Sequence, residues 1–365
     1  MRRLLTTALA VATLLGLAAA TRAQAQGGPP PLAAHEGDFV VRDFHFRSGE
    51  SLPELRVHYT TLGSPRRDAA GHVVNAVMVL HGTGGEGHNF IRPEFSGVLF
   101  GPGALLDVSR YYVILPDGIG HGKSSKPSDG LHARFPHYDY DDMVQAQYLL
   151  LTKGLGVDHA RLIMGTSMGC MHSFVWGETH PDFMDALMPL ACVPTQIAGR
   201  NRIWRKMVID AITSDPEWLG GDYKTQPRMG LRMASDMLVI AGSAPLFMLK
   251  NEPTRDAADA YVKRVIDGYM AELDANDMLY AVSASRNYDP SANLERITAP
   301  VMWLNSADDF INPPELGVAE KMAPRLPHGR FIMIPISDQT RGHGTHTMAA
   351  VWQDHLAELL RESQR

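Results

Sequence analysis

The fold is decided by the stretch RLIMGTSMGCMHSFVWGETH at residues 161–180. Its first four residues form a short apolar run typical of a buried strand, and the residues from 170 onward carry apolar side chains at helical spacing. Between them lies Gly-Thr-Ser-Met-Gly, residues 165–169. Small residues two places before and after Ser167 permit a turn sharp enough to lift its hydroxyl clear of the sheet. The stretch predicts a strand, a turn bearing a nucleophile, and a helix; the alternative is an ordinary tight turn.

Other apolar segments extend this pattern into a sheet. Alternating residues at 39–46 and 55–59 predict an antiparallel edge pair. Short continuous runs predict buried parallel strands at 76–80, 111–115, 161–164, 186–191, 301–304 and 331–334. Amphipathic patterns predict helices at 142–154, 170–180 and 348–360. We therefore expect an α/β protein with a mostly parallel central sheet flanked by helices.

The order of these segments predicts a core divided into two parts. From 194 to 290 the chain becomes helical and rich in methionine, without further strand patterns. We interpret this segment as a helical cap inserted between a first core part, 37–193, and a second, 291–365. Residues 26–36, which begin Gln-Gly-Gly-Pro-Pro-Pro, predict a flexible leader.

Composition excludes several protein classes. The chain has 365 residues, 45% hydrophobic and 20% charged, with 34 Lys and Arg against 40 Asp and Glu. These values are typical of a folded globular protein and exclude disordered, collagen-like and polytopic membrane classes. The net charge of −6, without a basic run beyond the first residues, argues against a nucleic-acid partner.

The amino end predicts export. Arg2 and Arg3 precede an uncharged apolar run at 4–20, and Ala-Gln-Ala at 23–25 matches the small-residue pattern of a cleavage site. We interpret residues 1–25 as a Sec-type signal peptide and place the mature protein in the periplasm or outside the cell, with no stable membrane anchor after cleavage; the alternative is a retained anchor. Cleavage after Ala25 leaves 31 basic against 40 acidic residues, a net charge of −9.

Cys170 and Cys192 are the only cysteines, and both lie in apolar stretches. A small apolar side chain is the usual role of such a residue, so we expect two buried thiols. A single disulfide is the alternative that an exported compartment permits.

A catalytic serine needs a base and an acid that orients the base, both supplied by later strands. Asp309 follows the strand at 301–304 and is our candidate acid. Asp308 is the alternative, expected at the surface or capping the turn. His343, ahead of the last helix, is the candidate base, with His346 as its rival. The two histidines have no partner at metal-ligand spacing, so we predict no metal and no cofactor.

An acyl-transfer intermediate also needs two N–H donors for its oxyanion. We assign one to Met168, which follows the nucleophile, and one to Thr83 in the loop His-Gly-Thr-Gly-Gly at 81–85. The alternative is a plain glycine turn. The glycine-rich segment 116–125 lacks phosphate-loop spacing and is interpreted as a wall of the site.

Several longer segments resemble one family over nearly the whole chain after residue 25. The resemblance is carried by the nucleophile turn, by AITSDPEWLGGDY at 211–223 and by LDANDMLY at 273–280. These segments are similar to the α/β-hydrolase superfamily and, within it, to homoserine O-acetyltransferases. The resemblance implies that Ser167, Asp309 and His343 are the catalytic triad. It also implies a possible homodimer through the cap.

Departures from the family pattern bear on the substrate. Gly344 stands where the family's aspartate holds the homoserine amine, and Ser235 and Gly242 align with the arginine and tyrosine that hold its carboxylate. Acetyl-CoA is a cytosolic donor that an exported enzyme would not meet. We therefore expect an exported serine hydrolase that cleaves a small carboxylic ester through an acyl-enzyme. The alternatives are an O-acyltransferase and a non-catalytic binding module.

Overall fold

The computed structural model describes residues 32–364, and the expected signal peptide lies outside them. Its eight strands form one sheet in the order β1-β2-β4-β3-β5-β6-β7-β8. The strands are β1 Ala34–His45, β2 Ser51–Leu62, β3 Ala76–Leu80, β4 Tyr112–Pro116, β5 Leu162–Thr166, β6 Leu187–Leu190, β7 Val301–Ser306 and β8 Gly329–Ile334. Strands β3 to β8 pair in parallel, and β1 and β2 are antiparallel to their neighbours. The predicted α/β class with a mostly parallel sheet is confirmed.

The apolar runs form strands because helices cover them on both faces. Every residue of β3, β4, β5 and β7 is buried, which explains why these strands are continuously apolar rather than alternating. One buried cluster includes Trp176, Trp303 and Met78, and the other includes Phe95, Trp352 and Met302. Successive residues of a strand point to opposite faces of the sheet. Since the neighbours Met302 and Trp303 belong to different clusters, the two clusters lie on opposite faces.

The helices lie between and after the strands. They are α1 Ser96–Leu99, α2 Tyr140–Leu149, α3 Met168–Thr179, α4 Gly199–Thr213, α5 Arg228–Ala241, α6 Pro245–Asn251, α7 Arg255–Glu272, α8 Ala275–Ser283, α9 Val318–Met322 and α10 Ala349–Glu362. The predicted helix at 142–154 is α2 continued by a π-helical turn, Leu150–Gly154. It begins earlier than predicted because Asp139 caps it, accepting a hydrogen bond from the N–H of Asp142.

The leader is shorter than predicted, since β1 begins at Ala34 and not after residue 36. Residues 34–36 pair with Leu62, Thr61 and Thr60 of β2, so the ladder hydrogen bonds override the flexible pattern of the sequence. The expected antiparallel edge pair is present as β1 and β2. The rest of the leader, up to residue 31, lies outside the described residues.

Helices α4 to α8 follow β6 and precede β7, with 3-10 turns at Pro216–Gly221, Ala284–Asn287 and Pro290–Arg296. This cap segment has a separate apolar cluster that includes Trp204, Val208 and Leu231. Its outer surface exposes Met229, Ile240 and other apolar side chains. Among the described residues no single helix is long and apolar enough to cross a membrane. Helices α5 and α6 are long and apolar enough only when they are taken together, and the chain bends by 101° between them.

Cys170 and Cys192 form a disulfide, so the expectation of two free thiols is wrong. Cys170 lies in the first turn of α3 and Cys192 two residues beyond the end of β6. Because β5 and β6 are parallel neighbours, the segments that follow them emerge side by side, which brings the two Cα atoms to 5.8 Å. The bond attaches α3, the helix that follows Ser167, to the segment that follows β6.

The disulfide predicts a measurable stability difference. Closing a loop between residues 22 positions apart should stabilise the folded state by about 3 kcal/mol, so oxidised protein should unfold at a higher Tm than reduced protein. Calorimetry with and without dithiothreitol measures this. The double variant C170A/C192A is the control, and its Tm should not respond to the reductant. Free thiols in oxidised protein that has been denatured without reductant would contradict the assignment.

Candidate active site

Ser167 occupies the turn between β5 and α3 in a strained conformation. Its backbone has φ 56° and ψ −109°, values that a residue with a side chain rarely adopts. The turn is possible because its flanking positions are glycines. A Cβ at Gly165 would lie 2.1 Å from the carbonyl oxygen of Gly169, and one at Gly169 would lie 2.1 Å from the carbonyl oxygen of Leu80. The spacing singled out in the sequence is thus a steric requirement.

Three of the predicted site residues form a continuous hydrogen-bonded line. His343 Nε2 lies 2.8 Å from Ser167 Oγ, and His343 Nδ1 lies 3.0 and 3.1 Å from the two carboxylate oxygens of Asp309. The carboxylate fixes the proton on Nδ1 and leaves Nε2 to accept from the serine hydroxyl. The arrangement can move a proton off Ser167.

Asp309 is fully buried but is kept in its ionised form. Burial alone would raise its pKa, but the His343 ring and hydrogen bonds from Ile311 N–H and the Asn312 side chain bring the pKa below the usual aspartate value. Asn312 also donates to the carbonyl of Ala191, at the end of β6. The acid is therefore held by both its own loop and the neighbouring strand end. Asn312 was not identified from the sequence, where it has no motif.

The two rival residues occupy positions next to the line. Asp308 accepts hydrogen bonds from Ser306 Oγ and from the N–H of Gly342, so it caps the loop that carries His343. The His346 ring lies 5.1 Å from that of His343, and burial together with the nearby His343 ring lowers the pKa of His346 to about 3. No hydrogen bond joins His346 to Ser167 among the described residues. Residues 32–364 also contain no group of three or more His, Cys, Asp or Glu that could hold a metal.

The two predicted oxyanion donors are unused in the structure. Neither the N–H of Met168 nor that of Thr83 donates a hydrogen bond to any described residue. Met168 begins α3, where the helix dipole favours negative charge. The Thr83 loop lies against the nucleophile, since a Cβ at Gly82 would be 3.2 Å from Ser167 Cβ. Two free donors beside the serine can stabilise a developing oxyanion.

Two buried histidines that the sequence analysis did not assign hold this loop in place. His81 accepts a hydrogen bond from the N–H of Gly118, and its other ring nitrogen donates to the carbonyl of Gly82. Burial and the nearby His121 ring lower the pKa of His81 to about 3, so it stays neutral. One ring nitrogen of His121 lies 2.9 Å from the carbonyl oxygen of Thr83. The segment 116–125 thus supports the oxyanion loop.

A cavity of about 430 Å³ opens beside the Thr83 loop. The core contributes Thr83, Glu86 and Lys126 to its lining, among others, and the cap contributes Leu238 and residues between 272 and 282. Its charged side chains are Glu86, Lys126, Glu272, Asp274 and Asp277. Burial raises the pKa of Asp277 to about 6, against hydrogen bonds from Ser128 that lower it. The cavity is therefore mostly acidic at its charged positions, and it reaches the candidate site at Thr83.

Comparison with known proteins identifies the family of this chain. Residues 75–337 match the family described as alpha/beta hydrolase fold. The chain belongs to the α/β hydrolase family. Within it, this α/β hydrolase is of the homoserine O-acetyltransferase-like type, as the resemblance in the sequence predicted.

Two relatives and two solved structures show what the chain is similar to. A homoserine O-acetyltransferase of Pelobacter propionicus is 30% identical, with 81% of this chain and 87% of the relative covered. A probable acyltransferase of Methanothermobacter thermautotrophicus is 29% identical, over 84% and 91%. An acetylester hydrolase from Corynebacterium glutamicum shares the fold with a TM-score of 0.78 at 20% identity, over 90% and 96%. A homoserine O-acetyltransferase from Bacillus anthracis has a TM-score of 0.73 at 20% identity, over 91% and 98%. This α/β hydrolase is an enzyme of the esterase or acyltransferase type.

Proposed function

We propose that this enzyme is an exported serine hydrolase that cleaves a small carboxylic ester through an acyl-enzyme. The observation that carries the proposal is the line from Ser167 Oγ to His343 to Asp309, with Ser167 Oγ 2.8 Å from the base. A hydrogen-bonded serine and imidazole beside two free N–H groups is the arrangement that acyl transfer requires. No metal or cofactor enters the proposed reaction.

The reaction proceeds in two balanced halves. His343 takes the proton of Ser167 as Oγ attacks the ester carbonyl, and the N–H groups of Thr83 and Met168 stabilise the oxyanion. The protonated imidazole then gives its proton to the departing alkoxide, which leaves as the alcohol and generates the acyl-enzyme. Water attacks that ester with its proton passing to His343. Collapse of the second oxyanion returns the proton to Ser167 and releases the carboxylic acid, while Asp309 stabilises the imidazolium.

The proposed roles predict distinct effects for the two adjacent aspartates. Asp309→Asn should lower kcat on 4-nitrophenyl acetate by about 10⁴-fold, because an amide cannot hold the same imidazole tautomer. Asp308→Asn keeps an oxygen that can accept from the N–H of Gly342, so its loss of kcat should stay below about tenfold. Steady-state kinetics measures both.

Ser167→Ala supplies the control for the nucleophile. A fluorophosphonate probe should label the wild type and Asp308→Asn but not Ser167→Ala. Equal labelling of the wild type and Ser167→Ala would overturn the assignment, as would an Asp308→Asn variant more impaired than Asp309→Asn.

Hydrolysis is favoured over transfer from acetyl-CoA by the residues around the site. The cavity has four carboxylates and one lysine, a charge balance that disfavours the several phosphates of a CoA thioester more strongly than a single carboxylate. Gly344 offers no carboxylate for an amine. Ser235 is buried within α5, where its hydroxyl donates to the carbonyl of Leu231, so it is not available to a ligand carboxylate. Acyl transfer to a hydroxyl acceptor other than water is the second candidate, supported by the named acyltransferase relatives.

Product analysis separates the two functions. With acetyl-CoA and homoserine we expect no O-acetylhomoserine, because Gly344 offers the amine of the acceptor no carboxylate. With 4-nitrophenyl acetate and added methanol, acetate should be the main product. Mass spectrometry measures each product. Formation of O-acetylhomoserine that disappears in Ser167→Ala would favour the transferase instead.

The proposed export depends on residues 1–25 and has its own test. Expression of the full chain in a Gram-negative host should place a form beginning at Gln26 in the periplasmic fraction. Amino-terminal sequencing of the fractionated protein measures this, with the chain lacking residues 1–25 as the cytoplasmic control. An intact amino terminus in the membrane fraction would support the retained anchor instead.

A further inference from the structure

Arg205 of the cap helix α4 is a buried cation without an acidic partner. Only 2% of the surface of this residue is exposed to solvent. No carboxylate oxygen of residues 32–364 lies within 4.0 Å of its guanidinium nitrogens. The ionisable groups that affect its pKa are the phenol of Tyr140 and a second cation, Arg202. A buried charge is costly unless it is paired, so this position favours an anion that is absent from the chain itself.

The hydrogen bonds of Arg205 use only part of its donor capacity. Nε donates to Asn201 Oδ1 at 2.9 Å, and Nη1 donates to Ser285 Oγ at 3.3 Å. Nη2 makes no hydrogen bond of normal geometry within residues 32–364, although the Tyr140 hydroxyl lies close to the guanidinium and the centroid of the Trp204 ring lies 4.7 Å from its central carbon. A guanidinium group carries five N–H donors in one plane, so part of its donor edge is unused. That edge can bind both oxygens of a planar acceptor.

Two further unused hydroxyls lie at the same place. The hydroxyl of Tyr140 is near the side chains of Arg205, Ser285 and Thr83, and yet it makes no hydrogen bond of normal geometry. Thr83 Oγ1, which lies beside the Tyr140 hydroxyl, is likewise buried without a hydrogen bond of normal geometry. Buried hydroxyls are normally satisfied, which makes two adjacent exceptions informative. We call Thr83, Tyr140, Arg205 and Ser285 the Arg205 cluster.

The Arg205 cluster adjoins the proposed reaction centre. Thr83 belongs to the oxyanion loop and also lines the 430 Å³ cavity. Ser285 donates to the carbonyl of Val282, which lines the same cavity. Helix α4, which carries Arg205, also places Arg200 on the ring of Phe310, directly after the catalytic Asp309. The cluster thus lies where the cap meets the oxyanion loop.

We propose that the Arg205 cluster binds a carboxylate that is part of the ester substrate. The unused groups are a guanidinium and two hydroxyls, all able to donate, and a carboxylate accepts at both of its oxygens. The inference rests on the proposed ester hydrolysis and names its substrate class. The carboxylate belongs either to the acyl half, as in a monoester of a dicarboxylic acid, or to the alcohol half, as in an acetylated hydroxy acid.

Paired substrates with and without the charge test the site. In the first arm, 4-nitrophenyl hemisuccinate and hemiglutarate are compared with 4-nitrophenyl acetate and butyrate. In the second, O-acetyl-glycolate is compared with its methyl ester. We expect the wild type to prefer the charged member of one arm, and Arg205→Met to lower kcat/KM for that member by about 10- to 100-fold. Its kcat/KM for the neutral member should change by less than about threefold.

Two further variants test whether Arg205→Met acts on substrate preference or only on the structure. Lys206→Met removes the neighbouring charge on the outer face of α4, where Lys206 pairs with Asp210, and should leave the preference intact. Tyr140→Phe removes only the hydroxyl and should weaken the preference in the same arm as Arg205→Met. As a measurement independent of turnover, sodium succinate at constant ionic strength should raise the Tm of the wild type but not that of Arg205→Met.

The outcomes separate this inference from the proposed hydrolysis. If neutral esters are cleaved as well as charged ones, or if Arg205→Met lowers both equally, the carboxylate site is wrong and the hydrolase stands. If no ester is cleaved but succinate stabilises only proteins that retain Arg205, the site stands and the hydrolysis is wrong. If neither effect is seen, both are overturned.

Discussion

The backbone strain at Ser167 is the constraint on which the other features of the site depend. Ser167 can adopt a φ of 56° only because Gly165 and Gly169 have no side chains. Their absence lets β3, β5 and the start of α3 approach more closely than a Cβ atom would allow. The same turn fixes the start of α3, and with it the direction of the Met168 N–H. The Thr83 loop, the His343 loop and the disulfide partner Cys192 all lie around this one turn. The turn therefore needs a rigid sheet around it. The central strands β3, β5 and β7 are fully buried and closely packed, which makes the sheet rigid.

Two neighbouring carboxylates illustrate how small differences of position separate their roles. Asp309 faces the ring of His343 and is fully buried, whereas Asp308 faces the backbone of Gly342. One orients the imidazole and the other orients the loop that carries it. Both depend on the end of β7, so a change in that strand would move the acid and the base together.

Much of the fold could be predicted because the strands and helices leave periodic patterns along the chain. The turn at Ser167 and the strand ends before Asp309 and His343 follow from such patterns and from the order of the segments. The disulfide could not be derived in this way, because it depends on which strands are neighbours. The roles of Arg205 and His81 could not be derived from the sequence either. Arg205 lies in a helix with both polar and apolar residues, and His81 begins a glycine-rich loop. Only the tertiary contacts show that both are buried.

The relay between the serine and its base joins residues 176 positions apart. The ribosome therefore completes the nucleophile turn and the whole cap before it makes the strand that carries the acid. The base comes later still, just ahead of the final helix. Under the proposed mechanism, a chain whose synthesis stops before residue 343 holds a serine without a proton acceptor and cannot attack an ester. The division of the core into two parts thus makes completion of the polypeptide a condition for reactivity.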